Sequence, residues 1–134
     1  MQIVILQRLS KDLEKIRAAM EKVCPELLQD TVFFSYIQDS KASISIKKRF
    51  LSKREHKDVM VVTGTILMDE SVPRAVNKIL DWNSKAVVII YSVSIEFIDN
   101  NKKLKKRISK VIQKHVSEGG EKLAEYIKNV LANK

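Results

Sequence analysis

QIVILQRLSKDLEKIRAAMEKVC, residues 2–24, decides what the chain opens on. Leu6, Leu9, Leu13, Ile16, Met20 and Val23 recur at spacings of three and four, which keeps them on one stripe of an α-helix. Arg8, Lys11, Glu14, Lys15, Arg17, Glu21 and Lys22 fill the remaining surface. Pro25 closes the segment, because the residue before a proline is driven out of helical geometry. The pattern predicts one amphipathic helix over 2–24. The continuous apolar run Ile3-Val4-Ile5-Leu6 leaves an alternative, a short strand at 2–6.

Beyond Pro25 the pattern changes to strands. TVFFSYIQ at 31–38 is aromatic and β-branched, and Asp39-Ser40-Lys41 supplies a turn. ASISIKKRFL at 42–51 alternates: Ile44, Ile46 and Phe50 share one side with Lys48, while Ser43, Ser45, Lys47 and Arg49 form a wet, basic side. VMVVTGTILM at 59–68 is apolar on both faces, as a strand inside a sheet would be. A helix is predicted at 71–83, with Pro73 in its first turn and Val76, Ile79 and Leu80 inward. KAVVIIYSVSIEFI at 85–98 is the strongest strand signal; fully extended it would span about 46 Å, so a bend or bulge is expected. A helix at 101–116, capped by Asp99 or Asn100, places Leu104, Ile108, Val111, Ile112 and His115 on one side. Gly119-Gly120 breaks it, and a last helix at 121–132 turns Leu123, Ile127, Val130 and Leu131 inward.

The resulting order is α-β-β-β-α-β-α-α. It predicts an α+β two-layer sandwich, a four-stranded and mainly antiparallel sheet covered by helices. The opening helix, three-strand meander and second helix are similar in order to the small secretion chaperones. That resemblance covers element order only and carries no function with it.

The chain has 134 residues, which fits a single domain over 1–134. Three glycines and two prolines leave little material for a linker. No run approaches the roughly twenty apolar residues of a membrane span. MQIVILQR has too short an apolar core, and no preceding basic residue, to serve as a secretory signal. The single Cys24 cannot form an internal disulfide, so a reducing, cytoplasmic setting is expected.

Positive charge is concentrated. NKKLKKRISKVIQKH at 101–115 carries seven Lys or Arg and no acid, and KASISIKKRFLSKREHK at 41–57 carries seven against one Glu. Together they hold +13, whereas the whole chain is +9. Lys102, Lys103, Lys106, Arg107, Lys110 and Lys114 are the candidate anion contacts on the helix, with Lys47, Arg49, Lys53 and Arg54 on the second segment. Cations in a helix's first turns oppose its dipole, which points to an external anion that stabilises them. The expectation is a small, non-enzymatic module that binds nucleic acid without sequence preference, through phosphate contacts. The alternative is an adaptor or chaperone-like subunit that docks an acidic protein, with a homodimer through the 2–24 helix possible. The ordinary uses of such lysines, as a solvated helix face or as guards of a strand edge, compete with both.

Catalytic chemistry has little to stand on. His56 and His115 are far apart in sequence, and no Gly-rich phosphate loop, nucleophile triad or paired-carboxylate motif is visible. One Cys and two His do not make a metal site, and no cofactor is expected. Trp82 is read as half-buried core.

Overall fold

A computed structural model of the chain describes residues 2–7, 9–35, 58–64, 76–77, 79–81, 83–93, 98, 100–115 and 119–133. It corrects the expected fold. The sheet has five strands, all parallel: β1 (Gln2–Gln7), β2 (Thr31–Ser35), β3 (Val59–Thr63), β4 (Val87–Ser92) and β5 (Lys110–Gln113). Their order is β2-β1-β3-β4-β5. Helices α1 (Ser10–Val23), α2 (Lys102–Arg107) and α3 (Glu121–Ala132) accompany it, with helical turns at 76–77 and 79–81 and a 3-10 helix at Pro25–Asp30.

The opening stretch is therefore split. Ile3, Val4 and Ile5 are consecutive β-branched residues, stiff at χ1 and better suited to a pleated strand than to a helix. They form β1, at the interior of the sheet, where Ile3 stands beside Thr31 on one neighbour and Met60 on the other. The helix starts only at Ser10, after an extended Leu9. From Leu13 onward the predicted stripe holds: Leu13, Ile16, Ala19 and Met20 are buried. Cys24 closes α1, and Pro25 opens the 3-10 turn.

Burial on both faces explains the parallel sheet. Val4, Leu6, Val59, Val61, Val88 and Ile90 pack on one face against Val76, Ile79, Leu80, Ile98, Leu104 and Ile108. Ile3, Ile5, Met60, Val62, Ile89 and Tyr91 pack on the other, against Leu13, Ile16, Met20, Leu123, Ala124 and Ile127. A sheet covered on both faces has strands that read as unbroken apolar runs, and it suits parallel strands joined by crossovers. The layers are helix, sheet, helix, in place of a two-layer sandwich.

The second correction concerns 101–116. Asn101, rather than Asp99 or Asn100, caps α2, its Oδ1 accepting from Leu104 N–H at 3.1 Å. The helix lasts six residues, and Ile108 is already extended. Ser109 N–H then donates to Val88 O at 2.8 Å, and β5 begins. Val111 and Ile112 consequently point to opposite faces, each joining a different core cluster.

α1 and α3 lie together under one face. Cys24 is fully buried, its thiol directed at Ala124 O at 3.9 Å, and burial pushes that thiol's pKa up. Of the stripe offered for a homodimer, Leu13, Ile16 and Met20 are buried in the core and Leu9 is exposed. Gly120 precedes α3 at φ 91°, a left-handed conformation that costs other residues about 1–2 kcal/mol. The strand expected at 42–51, His56, and the side chain of Trp82 lie outside the described residues.

Candidate functional site

The chain goes from β1 outward to β2, then crosses to β3 on the opposite side of β1. Strand order reverses there, and open α/β sheets bind ligands in the crevice outside the carboxyl ends at such a point. The carboxyl ends of the five strands and the start of α1 lie at this end of the molecule.

Gln7 closes β1 and Thr63 closes β3, and both are buried. Gln7 Nε2 reaches over β3 and donates to Tyr91 O at 3.5 Å, a long bond. Thr63 Oγ1 donates to the carbonyl of Gly64 at 3.2 Å. A Cβ at Gly64 would lie 3.8 Å from both Gln7 Oε1 and Tyr91 O, so the crevice floor is packed to ordinary contact. The two strand tips flanking the reversal are therefore polar and uncharged.

Charge enters from the sides. Lys114 follows β5, its backbone N–H donating to Ser92 O at 2.8 Å. Its side chain turns toward α1, where Nζ meets Asp12 Oδ2 at 2.8 Å and stands 5.8 Å from the centroid of the Tyr91 ring. The paired side chains are only 14% and 16% exposed. Asp12 lies in the first turn of α1, where the helix dipole also favours an anion. The pair clamps β5 to α1 and neutralises both charges.

The predicted basic helix does not survive as one stripe. Lys102, Lys103, Lys106 and Arg107 are exposed on α2, but Lys110 stands on β5 and Lys114 is withdrawn into the ion pair. Arg107 is occupied as well: Nη1 donates to Asn77 Oδ1, and Nη2 lies 3.6 Å from Asp81 Oδ1. Lys110 Nζ sits 5.7 Å from the Tyr126 ring centroid, over α3. Lys47, Arg49, Lys53 and Arg54 lie outside the described residues. Gln7, Asp12, Thr63 and Tyr91 were absent from the expected site. Only in a parallel sheet do all the carboxyl ends of the strands meet at one edge, so an antiparallel reading does not select them together.

No family model and no curated protein matches the chain. Solved structures do, at low identity and over nearly the whole length. The BeF3-activated DrrB receiver domain is 16% identical at a TM-score of 0.67, covering 98% of this chain and 97% of that one. The phosphorylated cyanobacterial phytochrome response regulator RcpA is 13% identical at 0.72, covering 99% and 95%. A response regulator receiver domain from Rhodospirillum rubrum is 12% identical at 0.71, covering 100% and 95%. The fold is thus the flavodoxin-like α/β fold of response-regulator receivers. With the basic helix dismantled and signalling domains as structural neighbours, the expected nucleic-acid-binding α+β module is withdrawn, and so is the resemblance to secretion chaperones. Among the described residues, no helix is long and apolar enough to cross a membrane.

Proposed function

We propose that the chain is a non-enzymatic, protein-docking signalling module, a receiver-fold domain that works without phosphoryl capture at its strand tips. The structural neighbours include a receiver bound to Mg2+ and BeF, from Thermotoga maritima, and a phosphorylated response regulator. Mg2+ is held by carboxylates and other oxygens, and a protein acyl phosphate requires a carboxylate nucleophile. The described tips of β1 and β3 offer Gln7 and Thr63, and Asp12 is already neutralised by Lys114. Among the described residues, no three His, Cys, Asp or Glu side chains come together as a metal site. These residues do not fit a Mg2+-phosphoryl centre.

The observation that carries the reading is the Asp12–Lys114 pair, in which the first-turn carboxylate of α1 is engaged by the lysine that follows β5. A single buried thiol at Cys24 fits a reducing, cytoplasmic setting. The test is intact-mass spectrometry after incubation with a small-molecule phosphodonor and Mg2+. No phosphoryl adduct is expected. A stoichiometric, hydroxylamine-labile adduct would contradict the reading.

A further inference from the structure

We propose that the outer edge of β5, the last of the described strands, and the groove beside it dock an acidic, extended segment of a partner protein, which adds to the sheet as a further strand. This rests on the protein-docking reading above and names the partner's chemistry. β5 is the last strand of the sheet and pairs only with β4 among the described strands. An edge strand presents backbone donors and acceptors on its outer side, and such an edge is where peptides add. Ser109 N–H points inward to Val88 O, so alternation turns the Lys110 N–H outward.

Beside this edge runs a groove of about 390 Å³, between β5 and α3, lined in part by Lys110, His115, Lys122 and Tyr126. Its wall is basic and aromatic, with no carboxylate among the lining residues. Lys110 is exposed and poised over the Tyr126 ring. Lys122 also lines a neighbouring groove together with Glu121 and Glu125, and Glu121 is held by Lys22 at 2.9 Å.

Charge selects the occupant. A second copy adding edge to edge would bring together two chains of net charge +9, and the repulsion between them opposes pairing. An acidic strand reverses the sign. Side chains alternate along a strand, so acids at positions i and i+2 of the partner would both face the groove, opposite Lys110 and Lys122.

The experiment uses the full chain and a short fluorescent peptide alternating Val and Glu, with a Val–Lys peptide as control. Binding is read by anisotropy, and backbone amide exchange by NMR. The Val–Glu peptide is expected to bind and to slow amide exchange within Lys110–Gln113. Affinity is expected to fall about tenfold in a folded Lys110→Glu/Lys122→Glu variant. Equal binding of the Val–Lys peptide, binding without slowed exchange in β5, or protection from self-association without peptide would each overturn the proposal. A protein that takes no phosphoryl group yet ignores the Val–Glu peptide sinks this groove and leaves the broader reading standing. A phosphoryl adduct sinks the broader reading, and the peptide result then decides the groove separately.

Discussion

Lys114 shows how much a single side chain's surroundings can change its meaning. In the sequence it is one of seven cations in an acid-free stretch. In the fold its ammonium lies 2.8 Å from Asp12, sheltered beside Tyr91 and spanning from the end of β5 to the start of α1. A partly buried, hydrogen-bonded pair of this kind contributes about 1–3 kcal/mol. A double-mutant cycle on Asp12→Asn and Lys114→Met, followed by urea unfolding, is expected to return a coupling in that range. The surface pair Lys22–Glu121, at a similar 2.9 Å but far more exposed, is expected to return none that can be measured. Similar couplings for the two pairs would mean that shelter at the strand ends does not strengthen the contact.

At the scale of elements, most of the strands were legible and their arrangement was not. The β-branched and aromatic runs at 31–35, 59–63 and 87–92 announce strands, and the 121–132 helix is visible from its stripe. Two elements misled for one reason. Leu6 and Leu9 continue the stripe of α1 backward, so the helical spacing absorbs β1. Leu104, Ile108, Val111 and Ile112 fit spacings of four, three and one, so it absorbs β5 too. Short apolar runs are ambiguous by periodicity alone, and β-branched enrichment is what separates them. Ile3-Val4-Ile5 and Ile108, Val111, Ile112 carry that enrichment. The place of β1 makes a sharp prediction. Ile5 is fully buried inside the sheet, so Ile5→Ala should cost about 2–5 kcal/mol in urea unfolding. A cost of a few tenths, as expected for the frayed start of a helix, would contradict an interior strand.

For the whole molecule, parallelism was the hidden variable. The segment at 59–68 reads as apolar on both faces, but a double-sided strand also occurs inside an antiparallel sheet, and the sequence carries no other cue to strand direction. Once the strands run the same way, their carboxyl ends converge, and Gln7 and Thr63 come to lie at the same end of the sheet as the Asp12–Lys114 pair. The basic stretch, in turn, divides among a short helix, an edge strand and an ion pair. Net charge thus described the surface without identifying the site. The central proposal is that the described strand ends of this receiver-fold molecule, with Gln7 and Thr63 at their tips and Asp12 paired with Lys114, take no phosphoryl group. Titrating the isotope-labelled protein with beryllium fluoride and Mg2+ tests it most directly, by following backbone amide shifts. The account predicts no saturable change at Gln7, Thr63, Gly64 or Lys114. Saturable, Mg2+-dependent shifts centred on those amides would contradict it.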